Sequence, residues 1–155
     1  MKLGSGIAAV ATMLEKGLTV GLGTDGCASN NNLDLFGEMD TAAKLAKVAN
    51  LDPTLLDART VLKMATIGGA RVIGLEDTVG TIQVGKKADI IIIDTNNPHM
   101  TPIYNPYSQL VYSATGGDVR DVMINGRIVY RDRRFTILDR DEIIDEVKRL
   151  TQRIQ

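Results

Sequence analysis

The chain has very little cysteine, histidine and tryptophan, and each shortage excludes a class of protein. Its single cysteine, Cys27, cannot form a disulfide within the chain, which excludes the disulfide-rich secreted scaffolds and is typical of the reducing cytoplasm. The absence of tryptophan and an aromatic content of 4% argue against a surface that stacks nucleic-acid bases. The single histidine, His99, excludes a histidine-rich metal centre built from this chain's own residues.

Charge and hydropathy exclude two kinds of partner. The net charge is −1 at pH 7, so the chain offers no basic field to nucleic acid or anionic lipid. No apolar run reaches the roughly 18 to 20 residues of a membrane-spanning helix, and no secretory signal pattern opens the sequence. A content of 44% hydrophobic and 24% charged residues is typical of a globular domain. We therefore expect a cytoplasmic protein whose partners are neither nucleic acids nor membranes.

The first half of the chain predicts helices around a single strand. Hydrophobic periodicity predicts helices at 6–17, from about 32 to 50 and at 51–66, and then a helical turn that ends at Gly74. The strand LTVGLGT (18–24) is apolar on both faces, as strands of parallel sheets are, so it needs neighbours that this chain does not supply. We expect Asn32 and Asp52 to be helix N-caps, with Asp34 in a first turn and Pro53 at the first helical position. The predicted inward-facing residues are Phe36, Met39, Ala43, Ala46 and Val48 or Ala49 on the second helix, and Leu55, Leu56, Leu62 and Ala65 on the third.

The second half turns to short β-branched runs. Strands are predicted at 80–84, 88–94 and 119–130, and YSQLVYSA (107–114) is a candidate for a further strand. The segment 119–130 is predicted to be a hairpin, because Asn125-Gly126 suits a type I′ turn. The run IIII (90–93) is expected to be covered on both sides in a sandwich core. The last segment predicts an amphipathic helix with Ile143, Ile144, Val147, Leu150 and Ile154 facing inward.

The stretch GLGTDGCASNNN (21–32) contains the strongest candidate for a functional residue. Asp25 follows the predicted strand directly, and functional side chains of parallel α/β proteins lie at that end of a strand. A carboxylate there can bind a metal ion or accept a proton from metal-bound water. The structural alternative is that Asp25 closes the following turn through hydrogen bonds to nearby backbone. The residues alone leave both interpretations open.

Four segments, taken in order, form a specific combination: LGSGIAAV, MLEKGLTVGLGTDGCASNNNLDLFGEMDTAAKLAK, ATIGGARVIGLEDTVGTIQVGKKADIIIID and VRDVMINGRIVYRD. Together they resemble the C-terminal part of the amidohydrolase superfamily. Within the superfamily the text is most similar to the 5-methylthioadenosine/S-adenosylhomocysteine deaminases and their chlorohydrolase-like relatives. The resemblance covers nearly the whole chain, and the combination of segments makes it specific.

The resemblance implies an α/β fold that is the C-terminal fragment of a larger enzyme. Residues 1–75 would form the last β/α elements of a metal-dependent hydrolase (β/α)8 TIM barrel. Residues 76–138 would form the C-terminal part of a small composite β-sandwich, and residues 139–155 a C-terminal helix. Met1 would then match a position inside the barrel.

The resemblance also implies a site and a reaction. Asp25 matches the metal-binding aspartate at the end of the eighth barrel strand, where it would help to hold one divalent ion, expected to be zinc, and relay the proton of the attacking hydroxide. Ser29 and Asn30 match the loop that lines the substrate pocket. The substrate of the full-length protein would be a purine nucleoside thioether, deaminated with release of ammonia.

The other ligands of that family are missing from this sequence. A His-x-His pair, two single histidines and an acid/base glutamate belong to its upstream strands, and His99, in TNNPHMTP, matches none of them. We expect His99 on a surface loop and Cys27 as a small packing residue. A catalytic zinc ion needs about three protein ligands. The chain alone is therefore expected to be inactive and to carry one corner of an active site.

Three alternatives remain open. The chain could be a catalytically silent folding or assembly module, its full-length parent could act on guanine or triazine substrates, or a site could be completed across a homo-oligomer. Without the other strands of the barrel, the edges of the strand 18–24 and the inner faces of helices 6–17 and 33–50 would be uncovered. Since exposed apolar patches favour association, we expect a homo-oligomer or pairing with a complementary N-terminal fragment.

Overall fold

The computed structural model describes residues 3–153, so the predictions for Met1 and Ile154 fall outside the described residues. A helical half precedes a β-rich half, as predicted. The helices are α1 (Val10–Glu15), α2 (Leu35–Asn50), α3 (Ala58–Lys63), α4 (Gly69–Val72), α5 (Pro106–Tyr112) and α6 (Arg140–Thr151), with a π-helical turn at Met64–Gly68 and 3₁₀ turns at Pro98–Met100 and Gly116–Asp118. The strands are β1 (Ile90–Ile93), β2 (Val119–Ile124), β3 (Arg127–Arg131) and β4 (Arg134–Phe135).

The four strands form one antiparallel sheet in the order β1-β2-β3-β4. The predicted hairpin is confirmed: β2 and β3 pair, and the turn residues Asn125 and Gly126 have φ of 49° and 79°, as a type I′ turn requires. Strand β1 confirms the prediction at 88–94. The sequence analysis missed β4, where Phe135 meets Tyr130 edge to face with ring centroids 5.0 Å apart.

Three strand predictions are wrong. Segments 18–24 and 80–84 form no strand within residues 3–153, because strands exist only through pairing and neither finds a ladder there. In the segment 80–84, two apolar side chains are exposed, Ile82 by 83% and Val84 by 107%. The segment 107–114 is largely helix α5, because Asn105 caps it by accepting from the backbone N–H groups of residues 107 and 108, and Pro106 occupies the first helical position.

Three helix starts are also corrected, and the first is that of α1, which begins at Val10 and not near residue 6. The N-cap of α2 is Asp34, not Asn32, since its carboxylate accepts from the backbone N–H of Phe36. The third helix begins with Asp57, not Asp52, as its cap. Asp52 instead closes a local turn with Thr54. The helical path from α3 through the π-helical turn and α4 ends before Gly74, whose φ is +69°, as predicted.

The hydrophobic core lies where α2, α3 and α5 meet. The buried residues of this cluster are Phe36, Met39, Ala43, Ala46, Leu56, Val61, Met64, Met100, Val111 and Ala114. They confirm the predicted stripe on α2 up to Ala46, and they show that the inner face of α2 is covered, contrary to the expectation. The last position is wrong: Val48 and Ala49 are exposed, although Lys47 beside them still donates to the hydroxyl of Tyr112 on α5.

Two apolar surfaces have no cover within the described residues. Helix α6 has no buried residue, and the predicted inward side chains Ile143, Val147 and Leu150 are 47%, 56% and 45% exposed. On β1, Ile91 and Ile92 are also about half exposed, so the expected cover on both sides is absent from this part of the chain. Within residues 3–153, no helix combines the length and apolar character needed to cross a membrane.

Backbone contacts, rather than strand pairing, locate the segment 18–24. The backbone N–H of Leu22 donates to the carbonyl of Met64 over 3.2 Å. A Cβ placed on Gly21 would lie 2.9 Å from the Cα of Gly69, and one placed on Gly68 would lie 2.8 Å from the carbonyl oxygen of Val20. The absence of side chains at positions 21 and 68 thus allows the two backbones to touch, which fixes where the segment ends.

Candidate functional site

Asp25 lies at the end of this segment in a conformation that few side chains adopt. Its φ is 59°, in the left-handed region, which aspartate tolerates better than most residues but at a cost of about 1 kcal/mol. The positive φ of this turn is therefore at Asp25 itself. Strained residues concentrate at functional sites, because surrounding structure must hold them in place.

Two short hydrogen bonds hold the Asp25 carboxylate. The backbone N–H of Gly26 donates to Oδ1 over 2.8 Å, and the hydroxyl of Ser29 donates to Oδ2 over 2.6 Å. The structural interpretation, in which Asp25 closes the following turn through hydrogen bonds, is therefore correct. It does not exclude the functional one, because a carboxylate has about four lone-pair positions and these two bonds use two of them.

The same two bonds set the charge of Asp25. The Ser29 hydroxyl, and after it the Gly26 N–H, hold the pKa of this carboxyl below its usual value of 3.8. The side chain is exposed, so desolvation opposes this only weakly. Asp25 is therefore an anion at neutral pH, which suits a metal ligand or a proton acceptor.

A cavity of about 420 Å³ brings the predicted site residues together. Asp25, Ser29 and Asn30 all line it. So do residues from the first turns of α2, among them Glu38, and from the segment before α1. The expected clustering of the three side chains is thus present in the structure, while their roles in catalysis and substrate binding stay predictions.

Glu38 was missed by the sequence analysis. Its Oε1 accepts a hydrogen bond of 2.6 Å from Nδ2 of Asn30. The signal that could have identified it is its place in the first turn of the helix that directly follows the site loop. The same turn is anchored by Asp34, which caps α2 with Oδ1 and accepts from the N–H of Gly116 with Oδ2 over 3.1 Å.

The described residues do not complete a metal centre. No group of three or more histidine, cysteine, aspartate or glutamate side chains within residues 3–153 is placed to hold a metal ion. Cys27 is exposed rather than packed as expected, because the turn carrying it projects into solvent. His99 lies on a surface loop, as expected, and its Nε2 pairs with Oδ2 of Asp118 at 2.9 Å. Asp25 therefore fits one ligand of a zinc site, and the set of three that zinc requires is not present here.

Comparisons of the sequence with known proteins indicate one family. Residues 1–129 match the model of the amidohydrolase family. The chain is 57% identical over 155 residues to 5-methylthioadenosine/S-adenosylhomocysteine deaminase 1 of Syntrophus aciditrophicus, covering 100% of this chain and 35% of that protein. It is 51% identical over 154 residues to the 5'-deoxyadenosine deaminase of Methanosarcina mazei, covering 99% of this chain and 35% of that protein.

A solved structure agrees with these sequences. The crystal structure of an adenosine deaminase from Xanthomonas campestris with bound zinc matches with a TM-score of 0.96 and 40% identity, covering 99% of this chain and 35% of that one. The chain thus spans about 35% of the length of the relatives it matches.

Proposed function

Because the chain belongs to the amidohydrolase family, we propose that it is the C-terminal portion of a metal-dependent deaminase and forms one wall of that enzyme's active site. The observation that carries the proposal is the grouping of an ionised Asp25 with Ser29 and Asn30 around one cavity. Residues 1–75 contribute the last β/α elements of the barrel, residues 76–138 the C-terminal part of the β-sandwich, and residues 139–155 the terminal helix. The single cysteine supports a cytoplasmic location.

The substrate that we propose for the full-length protein is an adenosine-type nucleoside of the 5-methylthioadenosine/S-adenosylhomocysteine class. The identity of 57% to a deaminase named for these compounds supports it. The reaction is hydrolytic: water replaces the purine amino group, which leaves as ammonia. A 5'-deoxyadenosine substrate is the nearest alternative, supported by the 51% identity to the Methanosarcina mazei protein.

In this proposal Asp25 has two roles, as one ligand of a divalent metal ion and as a proton acceptor. The zinc in the adenosine deaminase structure supports zinc as the metal. The remaining ligands belong to parts of the protein outside this chain. Ser29 holds the Asp25 carboxylate oriented and ionised, so that the chain supplies a fixed negative charge at the cavity.

The proposal is tested by restoring the missing part. The portion of the Syntrophus aciditrophicus deaminase that this chain does not match is fused to the chain, and ammonia release from 5-methylthioadenosine is measured together with zinc per chain. The fusion should be active and hold about one zinc. Asp25→Asn should lower kcat about 10³-fold, because the neutral amide accepts no proton and binds metal weakly.

Asp52→Asn is the matched control. Asp52 is also held by one backbone N–H and one hydroxyl, both of Thr54, and its pKa is lowered for the same reasons, but it does not line the cavity. Normal activity in Asp25→Asn would remove Asp25 from the site. The fusion could instead fold, with the chain packed against the rest of the protein, and release ammonia from no adenosine nucleoside. That result would favour the silent assembly module. Activity on guanine or a triazine alone would overturn the substrate assignment.

A further inference from the structure

The hydrogen bond between Asn30 and Glu38 bears on the orientation of the Asn30 side-chain amide. Nδ2 of Asn30 donates to Oε1 of Glu38 over 2.6 Å, and both residues line the cavity that contains Asp25. An ionised carboxylate can only accept hydrogen bonds, whereas a carboxamide donates from one end and accepts at the other. A glutamate in this place therefore dictates which end of the amide faces it.

We propose that Glu38 is a positioning residue that locks the Asn30 amide with Nδ2 toward α2, so that Oδ1 remains available as a hydrogen-bond acceptor at the cavity. The only bond that Oδ1 receives among the described contacts is from the N–H of Asn32 at 3.5 Å, at the weak limit of such interactions. Oδ1 of Asn30 can thus accept a hydrogen bond from a hydroxyl or an amino group of the substrate. This inference rests on the proposed function.

Glu38 is itself held firmly, as a positioning residue must be. Its backbone N–H donates to the carbonyl of Asp34 in the first turn of α2. Asp34 caps that turn and is tied to Gly116, 82 residues further along the chain. The N-terminal end of α2 is therefore fixed to the β-rich half. A helix N-terminus also favours a negatively charged side chain such as that of Glu38.

Three variants of the fusion separate orientation from packing. Glu38→Ala removes the acceptor and should raise KM for 5-methylthioadenosine about tenfold, with kcat within about twofold, as for one lost binding interaction. Glu38→Gln keeps the shape but can both donate and accept, so the amide is free to flip and KM should rise about threefold. Asn30→Asp places two carboxylates together and should be worse than either.

The decisive variant is the double change Asn30→Asp with Glu38→Gln. The new amide at position 38 donates to one oxygen of the new carboxylate, whose other oxygen is still an acceptor at the cavity. KM should return to within about threefold of the wild type. Glu146→Gln, an exposed glutamate on α6, is the matched control and should change nothing. A double variant no better than Asn30→Asp alone would overturn the proposal.

A measurement that needs no activity keeps this inference separate from the proposed function. In the ¹⁵N-labelled chain, solvent exchange of the Asn30 side-chain amide protons should accelerate about tenfold in Glu38→Ala and stay unchanged in Glu146→Gln. If the wild-type fusion is inactive but this acceleration is seen, the deaminase assignment fails and the locked amide stands. If exchange is the same in all three proteins, Glu38 does not hold Asn30.

Discussion

Replacing Asp118 by alanine should cost this fold more than any other single carboxylate. Asp118 is 3% exposed and accepts from Nδ2 of Asn97 at 2.9 Å, from Nε2 of His99 at 2.9 Å, and from the backbone N–H and hydroxyl of Thr115 at 2.9 and 3.0 Å. These bonds join the loop after β1 to the turn that precedes β2. Alanine would leave the donor of the half-buried Asn97 and the two donors of Thr115 without this acceptor.

The magnitude follows from these contacts. Each lost bond to a buried charged acceptor is worth about 1.5 kcal/mol at the low end, and three such donors depend on Asp118. The pair with His99, whose side chain is 48% exposed, adds well under about 1 kcal/mol after solvent screening. We therefore expect the free energy of unfolding to fall by about 4.5 to 5 kcal/mol, against total stabilities of about 5 to 15 kcal/mol for domains.

Urea unfolding followed by circular dichroism measures this, since the chain has no tryptophan. Asp52→Ala is the control: Asp52 closes a surface turn through Thr54 alone, so its loss should cost under about 1 kcal/mol. A loss below about 1.5 kcal/mol in Asp118→Ala would refute the reasoning, because it would mean that the buried donors find other partners.

Protonation of Asp118 at low pH should remove the same contribution to the free energy of unfolding. Burial opposes ionisation of Asp118, but the hydrogen bonds from His99 and Thr115 outweigh it and hold its pKa below the usual 3.8. A group whose pKa is lowered on folding stabilises fully above its unfolded value and loses that contribution as pH falls through the folded value. The difference between wild type and Asp118→Ala should be constant near neutral pH and shrink below about pH 4.

Two further predictions concern the core and the uncovered surfaces. Met100→Ala, at a site 1% exposed, should lower the free energy of unfolding by about 3 kcal/mol in the same urea assay, and a loss below about 1 kcal/mol would show that the site collapses around the cavity. The isolated chain should self-associate through the apolar side chains of β1 and α6. Light scattering should therefore report more than the monomer mass of 16.8 kDa. A monomer at all concentrations would contradict this prediction.

Features encoded by neighbouring residues could be predicted from the sequence. The hairpin turn depends on Asn125-Gly126 alone, and the stripe of α2 depends on helical spacing. The grouping of Asp25 with Ser29 follows from a single turn, since four residues separate them. In each case the local sequence and the final environment agree.

Features that depend on distant partners could not be predicted. Residues 18–24 have the composition of a buried strand, but the ladder partners such a strand needs are not among the described residues. The apolar run 107–114 has β-branched and aromatic residues, yet the cap at Asn105 and the core contact of Val111 make it helical. The place of Glu38 in the first turn of the helix after the site loop is a local signal, but its contact with Asn30 depends on the conformation of that loop.

The contact between the segment 18–24 and the π-helical turn also limits how this part of the protein can evolve. Positions 21 and 68 have no room for even a methyl group, whereas a Cβ at Gly23 would meet nothing within 4 Å. A library randomised at all three positions should therefore recover glycine at 21 and 68 and many residues at 23. We therefore expect variation in this neighbourhood at Gly23, which lines the cavity, and not at the two glycines that hold the backbones together.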